Sequence, residues 1–197
     1  MKKLSTYLFL LLFSFQTPSQ ADDVRDFQIE GMSIGDSLLD YFSEEKITDS
    51  YLYYPYPDNE FYAVGFNYEN SFEVYDIIEI YLKTDDKKYK IYSIDGSTTY
   101  KNNINDCYKK KDEIEKELSE IFKDTKKVDK GTTKHTIDKS GKSTTTTIYW
   151  KFDSGDFVGL ECYDWSKELE TTKNWYDHLR ISVVKKELGT WIKEKGL

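Results

Sequence analysis

The sequence predicts an α+β domain: an antiparallel sheet with one long helix and two short helices packed on one face. Three observations support this prediction. Several β-rich runs are joined by short turns, as hairpins require. One long segment has the three-four spacing of an amphipathic helix. We expect a helix and three strands, followed by a helix, four strands and a closing helix. This order is compatible with two α-β-β-β units.

The first 21 residues have the composition of a secretory signal peptide. A basic start at residues 2–3 precedes an apolar run from Leu8 to Phe15, and Ser19-Gln20-Ala21 fits a small-x-small cleavage site. We therefore expect cleavage after Ala21, a single mature domain over residues 22–197, and a periplasmic or extracellular location. No cysteine stands at the cleavage point, and no later segment approaches the length of a membrane helix.

The net charge limits the classes of partner. The chain has 28 basic and 36 acidic residues, hence a formal charge of −8, and removal of residues 1–21 takes away Lys2 and Lys3 and no acid, giving −10. Binding to nucleic acid or anionic lipid relies on Lys and Arg neutralising phosphates. The composition argues against both, and we expect a protein or small ligand of the cell envelope instead.

The segment from Phe27 to Ile47 is the first expected to be ordered after the leader. Its pattern predicts a short strand ending at Gly31, a turn, and a helix. Ser33 and Asp36 have the spacing of a helix capping box. The expected buried face of this helix consists of Ile34, Leu38, Tyr41 and Phe42.

The same segment contains Gly35-Asp36-Ser37-Leu38, which resembles the nucleophile block of the Gly-Asp-Ser-Leu family of SGNH esterases and lipases. The resemblance implies Ser37 as a catalytic nucleophile. A serine hydroxyl needs a positioned base, which this family supplies as Asp-x-x-His near its C-terminus. Thr132 and Trp175 stand three residues before the two histidines, His135 and His178, so neither fits the pattern. A serine esterase is therefore the alternative function.

A longer stretch of the same segment, Ile29-Glu30-Gly31-Met32-Ser33-Ile34-Gly35-Asp36-Ser37-Leu38-Leu39-Asp40-Tyr41, carries a second resemblance. It is similar to the opening of small exported proteins of marine SAR11-type alphaproteobacteria. The resemblance covers about the first fifth of the mature chain firmly and the rest in outline. It implies a location in the bacterial envelope and no particular chemistry.

Tyrosines are concentrated in Tyr51-Leu52-Tyr53-Tyr54-Pro55-Tyr56-Pro57-Asp58. Two prolines so close together disfavour both helix and interior strand, so an extended surface loop is expected. Amphipathic rings on such a loop form a candidate contact surface, made of Tyr51, Tyr53, Tyr54 and Tyr56. Two other interpretations remain: the rings cover the edge of the core, or the 17 tyrosines reflect AT-rich codon usage rather than a carbohydrate-binding surface.

The remaining elements follow from hydrophobic periodicity and turn signals. The long helix is expected over Asn102–Phe122 and a short closing helix around Leu188–Ile192. Asp95-Gly96 is expected to end the third strand, and Leu179, Ile181 and Val183 to be buried while His178, Arg180 and Ser182 face outward. The expected strands are Phe61–Tyr68, Phe72–Leu82, Tyr89–Ile94, Thr132–Asp138, Thr144–Phe152, Phe157–Tyr163 and Tyr176–Val184.

Cys107 and Cys162 are the two cysteines of the chain, and both lie on expected apolar faces. Two inward-facing cysteines in an exported protein indicate a disulfide. The two histidines do not have the spacing of metal ligands, and no pair of carboxylates is singled out as an acid and base. The sequence therefore predicts no metal and no cofactor, and a non-catalytic binding or protein-interaction domain.

Overall fold

The computed structural model describes residues 24–54, 56–67, 72–101 and 103–195. The expected signal peptide and its cleavage site lie outside the described residues, as do Pro55, Tyr68 and Asn102. One antiparallel sheet of eight strands runs through the described chain, in the order β1-β2-β3-β4-β8-β7-β6-β5. The strands are β1 (Tyr51–Leu52), β2 (Phe61–Asn67), β3 (Ile77–Lys83), β4 (Ile91–Thr99), β5 (Lys126–Lys134), β6 (Thr144–Lys151), β7 (Phe157–Asp164) and β8 (His178–Val184).

This strand order divides the sheet into two halves. Strands β1 to β4 form one meander, β5 to β8 form another, and the last strands of the two meanders pair with each other. Seven residue pairs join β4 to β8, from Ser93 opposite Val184 to Thr99 opposite His178. The predicted antiparallel α+β class is confirmed. The first half has four strands rather than the expected three, because β1 was not recognised inside the tyrosine segment.

In the part of the chain that the structure describes, four α-helices accompany the sheet: α1 (Glu44–Asp49), α2 (Ile104–Ile121), α3 (Lys167–Lys173) and α4 (Lys186–Lys195). The helix α2 contacts β7 and β8. Its buried residues Ile114 and Leu118 join a large apolar core with Ile94 and Ile181, and we call this side the core face.

The other side of the sheet, which we call the second face, is partly covered by α4. Leu188 and Trp191 of α4 pack with Phe61 and Val184, which point away from the core face. The prediction that all helices lie on one face is therefore wrong. The alternation of side chains along a strand assigns each residue to one face of the sheet. Only the path of the chain decides which helix covers that face.

The opening segment is only partly buried as expected, and it does not form the expected helix. Ile34 and Leu38 are fully buried, whereas Tyr41 is 41% exposed. Residues Leu38–Asp40 form a short 3-10 helix capped by Ser37, and the first α-helix begins after Ser43. The backbone at residues 35–38 instead bonds to the chain at Tyr89 and Ile91, so a tertiary contact replaces helical hydrogen bonds.

Two strand boundaries differ from expectation for identifiable reasons. The expected strand at Phe72 begins only at Ile77, because the amides of residues 73–75 donate to the carboxylate of Glu30 instead of to a neighbouring strand. The strand expected to end at Asp95-Gly96 continues to Thr99. Gly96 is a packing requirement there rather than a turn, since a Cβ at this position would lie 2.8 Å from the ring of Tyr75.

The fifth strand is also displaced from its expected position, Thr132–Asp138, to Lys126–Lys134. Residues after Lys134 turn instead, and the carboxylate of Asp138 accepts the amides of Ser140 and Ser143. The last strands and the long helix lie within two residues of their expected bounds.

The predicted disulfide is confirmed between Cys107 on α2 and Cys162 on β7. Both cysteines are fully buried in the core, and they are 55 positions apart in the sequence. The bond fastens the helix to a central strand. Among the residues that the structure describes, no helix is long and apolar enough to cross a membrane.

We expect removal of this disulfide to lower the free energy of unfolding by about 4 kcal/mol, from the entropy of closing a loop of this length in the unfolded chain. The measurement is urea unfolding of the wild type and of a Cys107→Ala/Cys162→Ala variant. Addition of reductant should shift the wild-type midpoint and leave that of the variant unchanged. Equal midpoints for the two proteins without reductant would contradict the expectation.

Candidate functional site

The four tyrosines of the predicted contact surface occupy two kinds of position. Tyr53 is 85% exposed and Tyr51 is 54% exposed. The ring of Tyr51 stacks on that of Tyr62, with centroids 5.8 Å apart. Tyr54 and Tyr56 instead turn toward the second face of the sheet. Tyr51 and Tyr53 thus face solvent, whereas Tyr54, which is 38% exposed, and the partly buried Tyr56 also hold the segment in place.

Hydrogen bonds to β3 fix Tyr54 and Tyr56. The hydroxyl of Tyr54 donates to Oε2 of Glu79 at 2.8 Å, and that of Tyr56 donates to the hydroxyl of Tyr81 at 2.9 Å. The ring of Tyr56 also meets Trp191 edge to face, with centroids 5.1 Å apart. Burial and the neighbouring Glu79 raise the pKa of Tyr54, so its hydroxyl remains a donor at any physiological pH.

Beside this segment lies a groove of about 560 Å³. This is within the size range of small-molecule sites, roughly 300–1,000 Å³. Its walls come from the tyrosine segment, from α1, from the start of β2 and from the turn before β4. We call it the tyrosine groove, and its lining residues are Ile47, Thr48, Tyr51, Tyr54, Tyr56, Asp58, Asn59, Phe61, Tyr62, Thr84 and Tyr89.

The tyrosine groove is almost uncharged, although 28 of the 197 residues of the chain are Lys or Arg. No Lys or Arg side chain is among its lining residues, and Asp58 is the one acid. Asp58 accepts hydrogen bonds from Lys195 at 2.7 Å and from the indole of Trp191 at 2.9 Å. The hydrogen bond from Lys195 is the main cause that lowers the pKa of Asp58, whose charge is thus balanced from outside the groove.

The centre of the second face carries a charged cluster around Arg180. Nε of Arg180 donates to Oε2 of Glu161 at 2.9 Å, and Nη2 donates to the same oxygen. Nη1 lies 3.8 Å from a carboxylate oxygen of Asp95. The guanidinium also lies over the ring of Tyr163, 4.6 Å from its centroid. The charge of Arg180 is therefore shared between two carboxylates and an aromatic face.

The carboxylates of Glu161, Asp95 and Glu79 on the second face have different environments. Burial alone would raise the pKa of Glu161, but the charge of Arg180 and hydrogen bonds from Arg180, Tyr163 and Thr147 lower it overall. Burial raises the pKa of Asp95, with Arg180 opposing. Burial and then the charge of Asp95 raise the pKa of Glu79. Among the three, Glu161 is thus the best-stabilised anion.

These polar groups are largely satisfied by one another. Glu161 accepts from the hydroxyl of Tyr163 at 3.0 Å, Asp95 accepts from Ser93 at 2.9 Å, and Glu79 accepts from Tyr54 at 2.8 Å. Such a network rigidifies the face on which it lies. Because Glu79 belongs to it, the cluster also positions the tyrosine segment and one wall of the tyrosine groove.

Sequence reasoning missed this cluster, and it expected His178, Arg180 and Ser182 to face outward. The structure puts all three on the second face, where Ser182 is only 5% exposed. The available signal was polar residues at alternate positions of several central strands: Glu79 and Tyr81, Ser93 and Asp95, Glu161 and Tyr163, His178 and Arg180. Such alternation is typical of a solvated face, and only strand pairing brings these residues together.

Ser37 has structural partners. Its hydroxyl donates to the carbonyl of Lys88 at 2.7 Å and accepts from the amide of Leu39 at 3.3 Å. In the described part of the chain neither histidine bonds to Ser37. His135 and His178 both lie against Tyr163 and Trp165 on the second face, whereas Ser37 lies beside Lys90, just before β4.

His178 is held in a neutral state. Burial lowers the pKa of its imidazole to about 4, with the charge of Arg180 acting in the same direction. Its ring stacks on Tyr163 with centroids 4.4 Å apart, and Nδ1 donates to the carbonyl of Tyr176 at 2.9 Å. Across the described residues, no three His, Cys, Asp or Glu side chains form a group that could hold a metal ion.

We expect Arg180→Met to lower the free energy of unfolding by about 3 kcal/mol, because it leaves the buried Glu161 carboxylate without its cation. The matched control is Lys109→Met, which removes a surface ion pair with Asp106 and should cost less than about 1 kcal/mol. A double variant, Arg180→Met with Glu161→Gln, should recover part of the loss. Equal urea midpoints for Arg180→Met and Lys109→Met would show that the cluster is not structural.

A fluorophosphonate probe should not label the purified protein, since no base among the described residues is positioned to take the proton of Ser37. Ser37→Ala should instead lower the free energy of unfolding by about 1 kcal/mol, through loss of the capping interaction. The measurement is probe labelling of the wild type and the variant by gel fluorescence. Labelling that disappears in Ser37→Ala would establish an activated serine and favour the esterase.

In comparisons with known proteins, no family model matches the chain, and neither a curated protein nor a solved structure is significantly similar to it.

Proposed function

We propose that the protein is an exported, non-catalytic binding domain whose contact surface is the tyrosine groove together with the exposed rings of Tyr51 and Tyr53. The observation that carries this proposal is the groove itself: six aromatic residues and almost no charge, in a chain rich in charged residues. Aromatic side chains offer large contact areas at a small cost in conformational entropy, and they are enriched at recognition surfaces.

The arrangement favours binding over catalysis. Among the described residues, the carboxylates of the second face are engaged with Arg180, serines and tyrosines, and Ser37 is engaged with the backbone. A catalytic acid, base or nucleophile needs a free group within reach of a substrate atom. The tyrosine groove offers ring faces and neutral polar groups, which suit recognition.

The edges of the sheet are weaker candidates for contact. At one edge, β1 has only two residues. At the other, β5 carries exposed lysines, including Lys126, Lys130 and Lys134, and a bulge between Asp129 and Gly131. Lysines and bulges are devices that discourage pairing with further strands. The groove is therefore the better surface for a partner.

The proposed location in the periplasm or outside the cell is supported by the disulfide. Bonds of this kind persist in oxidising compartments and are rare in the cytosol. The leader pattern of residues 1–21 points the same way. We further infer two related structural units, a proposal supported by the two four-stranded meanders that meet at β4 and β8.

The proposal predicts that immobilised mature protein retains at least one component of alphaproteobacterial envelope material through the tyrosine groove. A Tyr51→Ala/Tyr53→Ala variant should retain at least about tenfold less of it, because aromatic anchors supply much of the energy of such contacts. Retention is measured by quantitative elution from matched columns.

The control for this experiment is Tyr41→Ala, which removes a ring of comparable exposure that does not line the groove. It should retain the same component as the wild type. Equal retention by all three proteins, or no retained component at all, would overturn the proposed function.

A further inference from the structure

Several polar groups of the tyrosine groove have no hydrogen-bond partner in the described part of the chain. They are the side chains of Asn59 and Thr84 and the hydroxyls of Tyr51 and Tyr62. The other hydroxyls of the groove are engaged: Tyr89 donates to Glu44 and Thr48 donates to a backbone carbonyl, both at 2.8 Å. The groove therefore combines aromatic ring faces with a small set of free polar groups.

The charge of the groove excludes two ligand classes. Phosphates and other anions are bound by Arg, Lys or helix N-termini, and no cationic side chain lines the groove. A cationic ligand would meet a single carboxylate, Asp58, which is already bonded to Lys195 and Trp191, and it would have only the ring faces as partners. Complementarity of charge thus points to an uncharged ligand.

The chemistry of the free groups narrows the class further. Each is a hydroxyl or a primary amide, which both donates and accepts hydrogen bonds. A sugar hydroxyl does the same, and a sugar ring has an apolar C–H face that matches an aromatic ring. Proline-rich peptides also bind aromatic grooves, but their prolines offer only carbonyl acceptors. The acceptor capacity of the groove's hydroxyl and amide groups would then be unused.

We propose that the tyrosine groove binds a neutral oligosaccharide. This inference rests on the proposed function and adds the class of ligand. Tyr51 and Tyr62, stacked on one another, provide the ring wall. Asn59 and Thr84 provide the hydrogen bonds, and Tyr54 and Tyr56, bonded to Glu79 and Tyr81, keep the wall rigid.

The test is calorimetric titration of the mature protein with cellohexaose, maltohexaose, laminarihexaose, mannohexaose and chitohexaose. Spermine, a heparin hexasaccharide and a proline-rich decapeptide serve as ligands of the excluded classes. At least one neutral hexasaccharide should bind, with a Kd that does not change between low and high salt, since no ionic contact is made.

Variants connect the binding to the groove. Tyr51→Ala should weaken the Kd at least about tenfold and Asn59→Ala about fivefold, while Tyr41→Ala should leave it unchanged. Thermal unfolding of each variant establishes that it is folded. If no neutral hexasaccharide binds at about 5 mM, or if Tyr51→Ala binds as well as the wild type, the inference is overturned.

The outcomes separate this inference from the function on which it rests. If only spermine or the decapeptide binds, and Tyr51→Ala abolishes that binding, the oligosaccharide is ruled out as the ligand. The groove then remains a binding site. If no ligand binds, and the wild type and the Tyr51→Ala/Tyr53→Ala variant retain envelope material equally, both the inferred ligand class and the proposed function are overturned.

Discussion

The pairing of β4 with β8 is the interaction on which the rest of the structure depends. It joins two meanders into one sheet, although the paired residues are 79 (Thr99 and His178) to 91 (Ser93 and Val184) positions apart in the sequence. It aligns Ile94 with Val183 on the core face, where the disulfide-linked helix α2 packs. On the second face the same pairing brings Asp95 within reach of Arg180. One register thus sets both the apolar core and the charged cluster.

The charged cluster has consequences beyond its own strands. Glu161 balances Arg180, Asp95 shares that charge, and Glu79 next to Asp95 accepts the hydroxyl of Tyr54. The tyrosine segment is therefore held against the sheet by the same network that neutralises Arg180. Buried ionic groups contribute little net stability, but loss of one partner is costly. Their role here is to fix the wall of the tyrosine groove.

The functional interpretation depends on which polar groups remain free. Ser37 is bonded to the backbone, the histidines stack against aromatic rings, and the carboxylates of the second face are engaged. The groove, in contrast, has aromatic faces and hydroxyl and amide groups without partners in the described chain. For this reason we favour recognition of a neutral ligand. The Gly-Asp-Ser-Leu sequence of residues 35–38 is part of a turn and a helix cap.

The sequence by itself determined the α+β class, the long helix expected over Asn102–Phe122, the positions of most strands and the Cys107–Cys162 bond. These depend on periodicity within short segments and on the inward direction of two cysteines. The tertiary structure alone decided the rest. The opening segment forms backbone hydrogen bonds near Tyr89 instead of the expected helix. Gly96 lies inside a strand, where the ring of Tyr75 packs over it. The charged cluster and the tyrosine groove were likewise decided by strand pairing. Contacts between residues far apart in sequence leave no local pattern, so their geometry enters only when the sheet is assembled.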